Sequence, residues 1–182
     1  MANLEKFKQT IGGGIRPNQF VVRIEPPIAL NLGTVLNTAE YLGLASTLPG
    51  SSIGQAQAFH RGRMIPLAGE RQFNPWSITF YADQQMAIRT VFERWSNAIN
   101  NYSDNTGITN PGSYKGSGRI YLMQRNDVID NQAEYEAQAL KKYIVKGIFP
   151  IDISEIQVAW QLNDQLMEFS VTFAVESVDP VV

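Results

Sequence analysis

The chain has no cysteine and a single histidine, His60. Disulfides, thiolate nucleophiles and sulfur ligands are therefore excluded. Transition-metal sites need several nitrogen or sulfur donors, and one histidine cannot supply them. Charge is scarce as well: 18% of residues are Asp, Glu, Lys or Arg, and the formal net charge is −2. No Lys/Arg run exists to neutralise a phosphate backbone, which argues against tight, general nucleic-acid binding. So low a charged fraction fits a surface partly covered by neighbours. No apolar run approaches the roughly 20 residues of a membrane-spanning helix. Residues 1–14 lack the apolar core of a signal peptide, so synthesis in the cytoplasm is expected.

Positioned chemistry is also missing. The triple glycine at 12–14 lacks the Gly-Lys-Ser/Thr ending of a phosphate loop and follows no strand; it reads as a flexible hinge. Gly116-Ser117-Gly118 reads as a turn entering a strand at Arg119. Asp127, Asp130, Glu134 and Glu136 form a mildly acidic stretch with nothing to fix two of them at catalytic spacing. A nucleophile–histidine–acid set would have to use His60, in the least ordered-looking part of the chain. The expectation is a protein that is not an enzyme and has no cofactor.

What is present is a chain of 182 residues, 44% of them hydrophobic, enough for one domain with a sizeable core. Residues 1–18 read as a flexible lead. A strand follows at 20–25, with Phe20, Val22 and Ile24 on one face, and Pro26-Pro27 stops it. A second strand-like run covers 39–47. Residues 50–72 hold few large apolar side chains and are punctuated by Gly50, Gly54, Gly62, Pro66 and Gly69. This is an extended arm, in which 55–59 and 64–67 pair as a hairpin with Gly62 at a turn position of positive φ. A compact domain does not carry such a segment without a function or a partner for it.

After the arm, Asn74, Trp76, Ile78 and Phe80 alternate with Ser77, Thr79 and Tyr81, a strand with one apolar face. Asp83 is a good N-cap for a helix over 83–101, whose stripe is Ile88, Val91, Phe92, Trp95, Ala98 and Ile99. Further strands are expected at 119–124 and 140–147, the latter stopped by Pro150. A closing hairpin is expected from 156–162 and 169–175 around Asn163-Asp164. Its last strand puts Glu168, Ser170, Thr172 and Glu176 on a polar face. The fold class is mainly β (α+β): an antiparallel β-sandwich or barrel, one flanking helix and a long protruding hairpin arm.

The ordered series of motifs resembles the tail tube proteins of contractile-tailed, T4-like bacteriophages. Arg16-Pro17-Asn18 before Phe20 is similar to the family's entry to its first strand. Leu48-Pro49 precedes the arm, and Ala68, Gly69, Glu70, Arg71, Phe73 and Trp76 resemble the step that leads out of it. The helix around Arg89–Trp95, Tyr114-Lys115, the Lys146-Gly147-Ile148-Phe149-Pro150 step and the final strands complete the likeness. The first loop, around 25–37, is longer than the family's, and Asn74 stands where the family has an acid.

The resemblance implies a barrel-like domain of which six copies form a ring, with rings stacking into a hollow tube and the arm reaching the adjacent ring. It further implies a tail sheath protein, a baseplate tube initiator and a tape-measure protein as partners, with DNA transiting the lumen and no membrane insertion. The location would be the virion tail, assembled in the host cytoplasm. Inter-subunit candidates on the arm are His60, Arg61, Arg63, Glu70 and Arg71; lumen-facing candidates are Glu168, Ser170, Thr172 and Glu176. Alternatives are the inner tube of a non-phage contractile injection machine, such as a type VI secretion system or tailocin, and a baseplate protein that initiates a tube. A nucleic-acid-binding β-barrel, stacking bases on Phe59, Trp76 or Tyr81, lacks a basic groove.

Overall fold

The computed structural model describes residues 3–12, 14–33, 35–124 and 137–181. In chain order the elements are α1 (Leu4–Ile11), β1 (Phe20–Glu25), a short 3-10 turn (Ile28–Leu30), α2 (Leu36–Leu42), β2 (Gly43–Ser46), β3 (Ser51–His60), β4 (Arg63–Phe73) and β5 (Trp76–Tyr81). There follow α3 (Ala87–Ile99), α4 (Pro111–Tyr114), β6 (Gly116–Leu122), β7 (Lys141–Ile153), β8 (Glu168–Ala174) and β9 (Ser177–Val181). No helix among the described residues is long and apolar enough to cross a membrane.

Period-two alternation builds the centre. β5 buries Trp76, Ile78 and Phe80, β8 buries Phe169, Val171 and Phe173, and β1 buries Val22 and Ile24. The strands run in the order β1-β6-β7-β8-β5-β2, with β9 also on β7, and every pairing is antiparallel. This is the β-rich α+β class expected. β7 serves both halves: it pairs with β9 up to Lys146 and with β6 up to Ile148, and from Phe149 it pairs with β8. Gly147, at φ 66°, is the extra residue where the β6 register shifts. A second shift lies between Pro150 and Asp152. Pro150 therefore does not stop the strand, as the sequence suggests; it sits at an irregularity, where a missing N–H is tolerated.

α3 closes the open side of the core with Ile88, Val91, Phe92 and Trp95. Phe92 packs on Phe80 and Phe173 at centroid distances of 5.6 and 5.7 Å, and Trp95 reaches Phe173 at 6.2 Å. Met86, at φ 52°, opens the helix, but Asp83 still caps it, its carboxylate accepting from the N–H groups of Ala87 (3.0 Å) and Ile88 (3.3 Å). Both core indoles have partners: Trp76 Nε1 donates to Ser46 Oγ (2.9 Å) and Trp95 Nε1 to the Tyr114 carbonyl (2.8 Å). Burying these rings thus leaves no polar atom unpaired.

Three stretches differ from expectation. The run at 39–47 is helix first and strand second, because Leu36 and Ala39, three apart, face the core from α2. Residues 4–11 of the lead form a capped helix, with the Asn3 side chain accepting from Glu5 N and Lys6 N. The closing hairpin is absent: 154–167 holds no strand, and β8 pairs with β5 and β7. Both edges of β8 are occupied, so 156–162 has no ladder to join there. The acidic stretch at 127–136 lies outside the described residues.

Candidate assembly surfaces

Within the arm, the pairing is longer than the 55–59 and 64–67 hairpin that the sequence implies. β3 and β4 pair from Ser51↔Phe73 to His60↔Arg63 and, among the described residues, hydrogen-bond to no other strand. At about 3.4 Å per residue each strand extends roughly 30 Å. The two-residue turn is Arg61-Gly62, with φ 47° and 78°, the double positive-φ turn that suits strand twist. Gly62 is as expected; Arg61 in the same region has no sequence signal. A bulge between Ile53 and Gln55 shifts the register, and there Gly54 and Gly69 pack backbone to backbone.

His60, Arg61 and Arg63 cluster at the arm's tip, while Glu70 and Arg71 lie toward its base. All five are exposed. Arg71 Nη1 donates to Ser51 Oγ (2.7 Å), bracing the base across the two strands. Between the charges, Ile53, Phe59, Met64, Ile65 and Leu67 are exposed as well. An isolated two-stranded ribbon is marginal in water, and apolar side chains on both its faces call for a covering surface.

A second surface is the outer face of β5, β8 and the end of β7. Ser77, Thr79 and Tyr81 stand opposite Thr172, Ser170 and Glu168, and Asp152 stands opposite Thr172. The hydroxyls of Thr79 and Ser170 are hydrogen-bonded at 2.9 Å. This face presents hydroxyls and carboxylates without Lys or Arg. Its counterpart on β1, β6 and β7 is densely charged: Arg119 pairs with Glu25 at 2.9 Å, and Arg23 stands beside both. Three of the four lumen candidates, Glu168, Ser170 and Thr172, thus share one face. Glu176 does not, because β8 ends at Ala174. Its carboxylate instead accepts from Lys115 Nζ (2.8 Å), which raises the Lys115 pKa.

A third surface is one that sequence reasoning missed. Residues 154–167 and Tyr81 bound an open cleft of about 630 Å³ lined by Ile156, Val158, Leu162, Leu166 and Met167. Beside it, Trp160 is wholly exposed. The alternation of 156–162 was legible; its lack of a strand partner was not. α1 likewise leaves Leu4, Phe7 and Ile11, one helical stripe, exposed.

A family profile described as phage tail tube protein matches residues 15–177. The tail tube protein gp19 of Enterobacteria phage T4 is 26% identical over 133 residues, 72% of this chain and 76% of that protein. The tail tube protein of Serratia phage KSP90 is 22% identical over 173 residues, 93% of this chain and 92% of that protein. A chain of the extended sheath-tube complex of PVC, an extracellular contractile injection system, superposes with a TM-score of 0.66 at 12% identity, covering 100% of this chain and 99% of that one. At that identity the likeness is one of fold. The family match, spanning β1 to β8 and ending at the first residue of β9, places this protein in the phage tail tube protein family.

Proposed function

We propose that this chain is the repeating subunit of the inner tube of a contractile phage tail. Six copies close a ring, their sheets joining into one inner barrel, and rings stack into a conduit for DNA. The observation that carries this is the arm: a long ribbon that pairs only with itself and exposes apolar side chains along its length. Joining sheets between copies also removes the edges of β1 and β2, which would otherwise invite uncontrolled pairing.

The face bearing Ser77, Thr79, Ser170 and Thr172, with Glu168 and Asp152, is the candidate lumen wall. DNA must slide past such a wall, and fixed cations would hold its phosphates. The tube would lie within a sheath, start on a baseplate initiator and enclose a tape-measure protein before DNA. It would be assembled in the host cytoplasm and retained in the virion, and its role is structural and not enzymatic. The fold likeness to the PVC complex supports a second reading, the tube of a non-phage contractile injection machine.

Negative-stain electron microscopy of the purified protein over a concentration series tests the proposal. Rings and long hollow tubes are expected as concentration rises. Monomers at every concentration that bound DNA or an oligosaccharide tightly would defeat it.

A further inference from the structure

The two ends of β5 carry opposite surfaces. At Trp76 the chain has just returned from the arm, and Asn74 N donates to the Gly50 carbonyl to close the arm's base. At the far end, roughly 17 Å away at about 3.4 Å per residue, Tyr81 forms a wall of the cleft. Ala82 N, bonded to the Met167 carbonyl at 2.8 Å, fixes the cleft to that end.

Their chemistry is complementary. The arm's tip is basic, with Arg61 and Arg63 beside His60, and its last cross-strand pair before them is Phe59↔Met64. The cleft sets apolar side chains, Ile156, Val158, Leu162, Leu166 and Met167, beside the polar Gln157, Gln165 and Glu168, with acidic residues at its border. Lys146 is the last basic residue of the chain; of the acids after it, Glu176 and Asp179 are paired with Lys115 and Lys146 away from the cleft, which leaves Asp152, Glu155, Asp164 and Glu168. Glu155 and Asp164 belong to the segment that forms the cleft, and Glu168 lines it.

We infer that the cleft formed by residues 154–168 is the acceptor for the arm tip of a second copy of this chain. Phe59 and Met64 enter against Leu162, Leu166 and Met167, and Arg61 and Arg63 face Glu155 and Asp164. Donor and acceptor lie at opposite ends of one strand, so the contact is head-to-tail and repeats without closing, which generates a filament. This deepens the reading of the chain as a tube subunit, and rests on it, by giving the arm a defined seat.

Charge reversal tests the pairing. Arg61→Glu with Arg63→Glu should raise the concentration needed for tubes by about tenfold or more, since like charges face each other across the contact. Glu155→Lys with Asp164→Lys should do the same. All four changes in one chain should restore assembly toward that of the unmodified protein. Tubes indifferent to either reversal, or a fourfold variant no better than the double ones, would overturn the inference. A result in which removal of residues 1–12 abolishes assembly and the fourfold variant gives no rescue would assign the cleft to α1.

A second readout does not depend on polymerisation. The chain has no cysteine, so Met64→Cys and Leu166→Cys, prepared separately and oxidised together, should give the mixed disulfide in excess over either homodimer. Equal or greater homodimer yields count against the docking. The two levels separate cleanly: a mixed disulfide without tubes from the unmodified protein would sink the tube reading and keep the docking, whereas tubes without rescue would sink the docking alone.

Discussion

Gly118 in β6 lies so close to the indole of Trp76 that a Cβ at that position would come within 2.4 Å of Cζ3. Gly116, two residues earlier, plays the same part for Trp95: a Cβ there would be 2.8 Å from Cη2, and 2.5 Å from the Glu25 carbonyl. The Gly-Ser-Gly triplet is not the turn that its composition suggests. It lies within a paired strand and forms two sockets for the two core indoles. Gly118→Ala should therefore cost about 1–3 kcal/mol through overpacking, read from urea unfolding followed by tryptophan fluorescence. A loss below about 0.5 kcal/mol would show that the ring moves aside freely.

Gly147 combines a positive φ of 66° with contact against Glu176, whose Cβ would lie 2.6 Å from an added Cβ. Gly147→Ala should destabilise the fold by at least about 1 kcal/mol from backbone strain alone. Shortening Glu176 to alanine in the same chain keeps that Cβ contact but removes the carboxylate, whose Oε2 also crowds an added Cβ, and should recover that part of the loss. If the double variant is no more stable than Gly147→Ala, the carboxylate's share of the clash is nil.

The Glu176 carboxylate, by hydrogen bonding to Lys115, raises the lysine pKa above 10.5. With a folded-state pKa above the unfolded one, the pair's contribution is fully present below pH 10.5 and is lost as pH rises through the raised value. Glu176→Gln should move the Lys115 midpoint down in an NMR titration of the Nζ-attached methylene. An unchanged midpoint would dissociate the two groups in solution.

Replacing residues 52–72 with a short Gly-Ser turn should leave a folded monomer, because β3 and β4 contribute no residue to the buried core. Its thermal midpoint should stay within a few degrees of the parent protein, a change of under about 1 kcal/mol. Long tubes should be absent at concentrations where the parent protein forms them. Normal tubes from this variant would remove the arm from assembly.

For the lumen wall, Thr172→Cys should react with small thiol reagents in open-ended tubes as well as in free subunits, and a bulky reagent should react more slowly in tubes. Complete protection from small reagents in open tubes would place the β5–β8 face in a subunit contact and not on the lumen.

Much of this was legible where one side chain in two, or in three to four, had to be buried. Trp76/Ile78/Phe80, Phe169/Val171/Phe173 and Ile88/Val91/Phe92/Trp95 announce their elements because each faces the same core. The arm was legible by the opposite sign, a stretch that could not bury itself. Failures arose where the deciding fact was non-local. Residues 156–162 alternate as a strand does, yet no edge beside β8 is free to receive them. Leu36 and Ala39 prescribe a helix only once β1 lies beneath them. The glycine sockets require knowing which rings lie opposite. The charge asymmetry after Lys146 could have been read directly, and it gains meaning only when the cleft and the arm prove to be at opposite ends of β5.

Among the described residues β7 is the one strand shared by both halves of the sheet, so force crossing between the halves must pass through it. A load passing from β8 to β9 travels along the covalent backbone of residues 147–148, with hydrogen-bonded ladders gripping β7 on either side. Tension along that strand strains many ladder bonds in shear at once and does not peel them off one by one. Along β7 that grip is interrupted twice, at the bulged stretch at Gly147, where the β6 ladder skips a residue, and between Pro150 and Asp152.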